Sequence, residues 1–158
     1  MADTIRLQRE NFDPAAESAA LTRGRTDIGA VVTFTGICRG AESGEPIAAL
    51  TLEHYPDMAD AEIARHVEDA NKRWSLLGVT VIHRYGRIEP GENIVLVVTA
   101  SSHREAAFAA AEFLMDYLKT RAPFWKQVES AKGKDWVAAK STDDAAADRW
   151  RKDREAAE

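Results

Sequence analysis

The apolar run at residues 93–100 (NIVLVVTA) limits the fold of this chain more than any other segment. A strand with one face in water alternates apolar and polar residues, whereas a strand covered on both faces is apolar almost throughout. Only Asn93 and Thr99 interrupt the run. It therefore predicts a central strand in a sheet, with other elements packed on both of its faces.

Strand and helix patterns alternate along the rest of the chain. After Pro56–Asp57, apolar residues three or four positions apart predict the buried stripe of a helix that ends at Gly78: Ala59, Ile63, Val67, Ala70 and Trp74. Further helices are predicted at 15–22 and from 102 to about 120. Strands are predicted at 27–39, 49–55, 79–85, 93–100, 124–129 and 135–139, with a loop at 40–46 and a turn at 86–92. This order favours an α+β sandwich: a mixed or antiparallel sheet with helices on one face, and a small C-terminal β-hairpin.

Length, charge and cysteine usage exclude several classes of protein. The 158 residues correspond to about one domain, and we expect this domain at 1–150, with 151–158 as a charged, disordered tail. A net charge of −5 argues against nucleic-acid binding. No apolar run reaches the ~20 residues that span a bilayer, and the first ten residues lack a signal-peptide pattern. The single cysteine excludes a disulfide framework, so we expect a cytoplasmic protein with no membrane partner.

Two groups of cations flank the last long helix. His103 and Arg104 lie at its start, where free backbone N–H groups and the helix dipole favour a phosphate. The alternative is that Ser102 caps the helix and both side chains are solvated. Lys119 and Lys126 lie around its end, where a partly desolvated lysine can act as a base or nucleophile. Their alternative role is to offset the helix dipole.

Arg39 and Cys38 end the strand predicted at 27–39. Arginine suits bidentate binding of phosphate or carboxylate, and Gly36 would let a ligand approach the backbone. The alternative for Arg39 is an exposed side chain at a strand end. Cys38 is either a thiolate nucleophile favoured by Arg39 or a small buried apolar residue. The four histidines show no metal-ligand spacing, so we predict neither a metal nor a cofactor.

Several long segments together resemble one protein family. They are residues 29–36 (GAVVTFTG) with Arg39, 50–56 (LTLEHYP), 79–84 (VTVIHR), 102–104 (SHR), 115–126 (MDYLKTRAPFWK) and 136–137 (WV). With these segments the chain resembles the large, catalytic subunit of molybdopterin synthase, the MoaE family, over about residues 5 to 150. The resemblance implies a fold like the α/β hammerhead sandwich of that family.

The resemblance also implies an activity. Enzymes of this family are sulfurtransferases of molybdenum cofactor biosynthesis, which convert cyclic pyranopterin monophosphate to molybdopterin by inserting two sulfurs. The sulfur arrives as a thiocarboxylate on the C-terminal glycine of a small ubiquitin-like subunit. Two large subunits form a central homodimer with one small subunit at each end, which makes a heterotetramer.

Site residues follow from the same resemblance. Lys119 and Lys126 match the two catalytic lysines of the family and also contact substrate. The other implied substrate-binding residues are Ile37, Cys38, Arg39, His103, Arg104, Gln127 and Val128, and possible contributors are Phe34, Met115, Arg121 and Lys140. The His103–Arg104 pair is expected to serve the neighbouring protomer's site. Lys140 stands where relatives can carry arginine, so it keeps the charge without the fork geometry.

The cations make physical sense for these substrates, because a cyclic phosphate and a thiocarboxylate must both enter a protein of negative net charge. Our mechanistic hypothesis is that Arg39, His103 and Arg104 hold the phosphate and pterin. Lys119 neutralises the thiocarboxylate and the charge that develops during attack, while Lys126 assists proton transfer or anchoring.

Two competing interpretations stay open at the level of the sequence. In one, Cys38 carries sulfur as a persulfide. In the other, the chain is a non-catalytic dimeric scaffold that docks a ubiquitin-like protein along an edge strand of the hairpin at 124–137.

Lys119→Ala is expected to abolish product formation and to leave the fold and partner binding intact, because the lysine charge acts on reacting groups only. The measurements are pterin product by mass spectrometry, and folding and complex formation in parallel. A folded Lys119→Ala protein that retains activity would contradict the assignment of this lysine.

Overall fold

The computed structural model describes residues 2–120, 124–137, 145–146 and 148–151. In chain order the elements are β1 (Ala2–Gln8), α1 (Pro14–Thr22), β2 (Ala30–Ile37), β3 (Ala41–Glu42), β4 (Glu45–His54), α2 (Pro56–Arg73), β5 (Leu76–Arg84), β6 (Gly86–Ile88), β7 (Asn93–Ser101), α3 (Arg104–Thr120), β8 (Phe124–Ser130) and β9 (Gly133–Val137). None of the helices in this described part of the chain is long and apolar enough to cross a membrane.

Strand β7 lies inside the first sheet, whose strand order is β1-β5-β7-β2. β1 runs parallel to β5 and the other pairs are antiparallel, so the sheet is mixed. Val95 and Val97 pack in one core with α2 and α3, whereas Leu96 and Val98 pack in another with Leu21 of α1. The predicted central strand is confirmed. The two long helices share one face as expected, and the short α1 covers the opposite face.

The second sheet has the order β3-β4-β8-β9, and β6 pairs with β4 as well. β8 and β9 form the C-terminal hairpin that the sequence predicts. A third core lies against this sheet and includes Cys38, Leu52 and Val128. Ile94 of β7 packs against both this core and the core beneath α2 and α3. The two sheets therefore meet near the start of β7.

Four features differ from the sequence predictions. The predicted loop at 40–46 contains β3 and the start of β4, joined by Ser43 and Gly44 with φ of 51° and 80°, a left-handed pair typical of a tight hairpin turn. The predicted turn at 86–92 begins with β6. α2 ends at Arg73 rather than at Gly78, because Trp74 already has an extended backbone. The sequence pattern predicts no strand for β1, since only its distant, parallel pairing with β5 defines it.

The helical turn at 145–146 and 148–151 is attached to the long helices through Trp150. The Trp150 ring lies edge-on to Trp74 and Phe113, with centroids 5.6 Å and 5.5 Å away. Its Nε1 donates to Asp116 Oδ2 at 2.6 Å, and its carbonyl accepts from the Arg73 guanidinium. Trp150 is thus a core residue. Residues 152–158 of the predicted tail lie outside the described residues.

Trp150→Ala is expected to lower the free energy of unfolding by about 3 kcal/mol, because it removes a buried aromatic ring and leaves the Asp116 contact unmade. Arg151→Ala is the matched control on the same helical turn. Its exposed pair with Asp148 predicts a change within about 0.5 kcal/mol. Denaturant unfolding measures both variants, and equal midpoints would contradict this role of Trp150.

Candidate functional site

Two of the predicted cations, Arg39 and Lys126, meet at the carboxylate of Glu42. Arg39 Nη2 donates to Glu42 Oε2 at 3.0 Å, and Lys126 Nζ donates to Oε1 at 2.6 Å. Arg39 follows β2 and Glu42 ends β3 three residues later, whereas Lys126 lies on β8, so two distant segments of the chain converge here. The two cations outnumber this one carboxylate, so the cluster can attract an anion.

Lys119 lies in the last turn of α3, and its charge acts on the buried imidazole of His83. The His83 ring stacks on Phe124 at a centroid distance of 3.9 Å. Phe124 and Lys126 are two residues apart on β8, and residues at this spacing share one face of a strand. His83 and Phe124 therefore connect the end of the helix with the strand that carries Lys126.

The buried histidine adds no positive charge to this region at neutral pH. Burial, reinforced by the charges of Lys119 and His54 and opposed by the carbonyl of Arg84, lowers the pKa of His83 to about 4. Its Nδ1 lies 2.8 Å from the Arg84 oxygen, so the neutral ring donates there. The positive charge that a ligand meets here comes from lysine and arginine.

Cys38 and Ile37 differ sharply in environment. Cys38 is only 2% exposed, and its Sγ lies 3.8 Å from the Ile88 carbonyl. Burial raises the pKa of the Cys38 thiol, and the charges of Glu92 and Glu42 raise it further. This environment opposes a thiolate nucleophile and agrees with the small buried residue of the alternative interpretation. Ile37 is exposed beside it at the end of β2.

Gln127 and Val128 follow Lys126 on β8. Val128 is buried in the core that contains Cys38, whereas Gln127 is half-buried and lies on the opposite face of the strand from Lys126. The structure thus places Val128 on the Lys126 side of the strand. Their predicted contacts with substrate stay predictions.

His103 and Arg104 lie at the opposite end of the first sheet from Arg39. Antiparallel pairing aligns Ser101 with Ala30 at one end and Asn93 with Ile37 at the other, and β7 spans about 27 Å between them. Along α3, Arg104 lies about 23 Å from Lys119. One chain therefore does not bring these two exposed side chains to the other cations.

The alternative role of Ser102 as a helix cap is not what the structure shows. Its Oγ contacts the carbonyl of Asp27 at 3.4 Å, and the helix begins at Arg104. Of the possible contributors, Phe34 is exposed on β2 and Met115 is half-buried on α3. Arg121 and Lys140 lie outside the described residues.

Sequence reasoning missed two residues of this region. Glu42 lies in the segment that the sequence predicts as a loop, and its signal is a carboxylate three residues after a candidate anion-binding arginine. The sequence indicates His83 only as a candidate metal ligand, and no local signal indicates its stack on Phe124. Across residues 2–120 and the shorter described segments, no three His, Cys, Asp or Glu side chains are grouped as a metal site requires.

Comparisons with known proteins are consistent over nearly the whole chain. The sequence model of the MoaE protein family matches residues 7–121. The molybdopterin synthase catalytic subunit of Mesorhizobium japonicum is 60% identical over 153 residues, which cover 96% of this chain and 95% of that protein. The solved MoaE structure from Burkholderia ambifaria has a TM-score of 0.80 and 47% identity, covering 95% and 98% of the two chains. A molybdopterin synthase structure from Staphylococcus aureus has a TM-score of 0.77 and 26% identity, covering 84% and 95%.

His83→Phe is expected to flatten the acid dependence of stability. The folded pKa of about 4 lies below the ordinary value of 6.5. On acidification the unfolded chain therefore binds a proton that the folded chain does not bind. The contribution of His83 to the free energy of unfolding is full above pH 6.5 and decreases toward pH 4. Between pH 7 and 5 this loss is about 2 kcal/mol. The phenylalanine keeps the stack but cannot titrate.

Denaturant unfolding at pH 7 and pH 5 checks this expectation. His103→Asn replaces an exposed histidine outside this core and serves as the control for the loss of a histidine. Parallel pH curves for the His83→Phe and parent proteins would contradict the assignment of the acid dependence to His83.

Proposed function

The chain belongs to the MoaE protein family, and on that basis we propose that it is the catalytic subunit of a molybdopterin synthase. It converts cyclic pyranopterin monophosphate to molybdopterin as a sulfurtransferase. Its partner is a small ubiquitin-like subunit whose C-terminal thiocarboxylate supplies the sulfur. Each tail carries one transferable sulfur, so two tails are consumed for each pterin and return as carboxylates.

The observation that carries this proposal is the convergence of Arg39 and Lys126 on one carboxylate. A chain with a net charge of −5 repels anions at long range, so an anionic substrate and an anionic tail both need local positive charge. Lys126 already contacts one carboxylate, that of Glu42, at 2.6 Å, which supports the proposal that its ammonium group binds such an anion. Lys119 adds a further cation at the end of α3.

The proposed roles divide the work between charge and position. Lys119 neutralises the incoming thiocarboxylate and stabilises charge that develops during attack on the pterin side chain. Lys126 anchors the anion or assists proton transfer, and Arg39 holds the phosphate. The Ile37–Cys38 backbone and Val128 line the pocket beside them, with Gln127 next in sequence.

The partner supplies activated sulfur, so no cysteine of this chain takes part in the transfer. The buried Cys38 thiol, with its raised pKa, supports this view against the persulfide alternative. The scaffold alternative draws on β9, which ends the second sheet and carries the exposed Trp136. The cation cluster favours the enzyme, because a docking surface alone has no need of it.

We further propose that the site is shared between protomers of a homodimer within a heterotetramer. In their own chain His103 and Arg104 are separated from Arg39 by about the length of β7, which supports their use in the neighbouring site. The catalytic unit is proposed as one domain, residues 1–150, in the cytoplasm, where a single free cysteine persists unpaired.

Reconstitution tests the proposed function. Purified protein, thiocarboxylated small subunit and cyclic pyranopterin monophosphate are expected to yield a pterin with two sulfurs, with two tails returned to carboxylate per pterin, as followed by mass spectrometry. Cys38→Ala should retain near-normal turnover, because position 38 contributes backbone and modest bulk. A stable complex with unchanged pterin would support the scaffold instead, and an inactive but folded Cys38→Ala protein would support the persulfide.

A further inference from the structure

Glu42 is the one residue of the charge cluster that the proposed chemistry does not use. Its carboxylate contacts Arg39 through one oxygen and Lys126 through the other. The Glu42 side chain is 15% exposed, against 28% for Lys126 and 67% for Arg39. A carboxylate so far removed from water needs charged partners, and Arg39 and Lys126 are such partners of Glu42.

The hairpin that carries Glu42 is short. β3 has two residues, and Ala41 and Glu42 pair with Pro46 and Glu45 across the Ser43–Gly44 turn. In the strand order of the second sheet β4 lies between β3 and β8, yet the Glu42 side chain contacts Lys126 on β8. Lys126 on β8 is aligned with Leu52 on β4. Glu42 therefore contacts Lys126 from an element outside this pair of strands.

The Glu42 carboxylate, which accepts from an arginine and a lysine, is chemically similar to the ligand groups expected here. A phosphate and a thiocarboxylate are also compact anions that accept from both cations. While Glu42 holds these donors, a ligand anion must compete with it for them. The cluster of Arg39, Lys126 and Glu42 has a net charge of +1 and so attracts a ligand anion, but the ligand takes the position between the two donors only if Glu42 leaves it.

We propose that Glu42 is the resident counter-anion of this site, and that its carboxylate occupies the position between Arg39 and Lys126 until the anionic group of a ligand displaces it. The inference rests on the proposed function for the identity of the ligand, and on the geometry of the cluster for the competition. Glu42 thereby sets how tightly an anion must bind to Arg39 and Lys126 in order to displace it, and it keeps Lys126 from pairing with anions that bind more weakly.

Glu42→Gln tests the competition, because it removes the charge and keeps the size. Glu45→Gln is the matched control: it makes the same charge change on the same hairpin, at a residue whose exposed partner is Lys132. Glu42→Gln is expected to lower the KM of the anionic substrate that displaces Glu42 about three- to tenfold, with kcat unchanged. Glu45→Gln is expected to leave both constants as in the parent protein.

A binding measurement without turnover separates this inference from the proposed function. Inorganic phosphate and thioacetate are titrated into each protein, and chemical-shift changes report the affinity. If Glu42→Gln binds phosphate more tightly than Glu45→Gln and the parent protein do, the substrate phosphate is the displacing group. If it binds thioacetate more tightly, the displacing group is the tail.

Equal affinities in Glu42→Gln, Glu45→Gln and the parent protein would overturn the inference, and so would weaker binding or a lower kcat in Glu42→Gln. If the parent protein fails to form the pterin with two sulfurs, the proposed function fails. The comparison of phosphate and thioacetate binding still decides the role of Glu42. If Glu42→Gln does not fold, Glu42→Asp replaces it. The shorter side chain should weaken the contact with Lys126 and tighten anion binding in the same direction.

Discussion

Burial of β7 on both faces is the constraint on which the rest of this structure depends. Its alternate residues enter two different cores, one under α2 and α3 and one under α1. An apolar strand exposed on either face would cost free energy in proportion to its area, so helices must cover both sides of the sheet. Because β7 then leads directly into α3, the helix runs back along the sheet and ends near the strand's own beginning. That return brings Lys119 to the end of the fold where the two sheets meet.

The site is built from charges that would repel one another without an anion between them. Arg39, which follows β2, and Lys126 of β8 share Glu42, and the charge of Lys119 acts on the His83 ring that stacks on Phe124. Burial holds His83 neutral, so the aromatic stack supports the lysines without adding to their repulsion. The second sheet supplies the strand that carries Lys126, and the first supplies the helix that carries Lys119. Neither sheet alone would assemble the cations.

Local patterns predicted much of this arrangement. The stripe of α2, the continuous apolar strand β7 and the C-terminal hairpin each follow from residues close in sequence, since side-chain periodicity is a local property. β1 and β6 escaped prediction because each is defined by pairing with a strand distant in the chain, and β6 has only three residues. Glu42 escaped for the same reason: its partner Lys126 is 84 residues away. The resemblance to a family predicted Lys119, Lys126 and Arg39 as site residues, but it said nothing of the carboxylate between two of them.

The sequence by itself determined the family, the α+β class with a strand covered on both faces, and the residue types available for binding anions, because these depend on composition, periodicity and long matching segments. Only the tertiary structure decided which cations meet. It joined Arg39 to Lys126 through Glu42, buried Cys38 away from reactivity, and separated His103 and Arg104 from them by the length of β7. The physical reason is that distances between side chains on different elements depend on strand pairing and packing over the whole chain, which no local stretch of residues encodes.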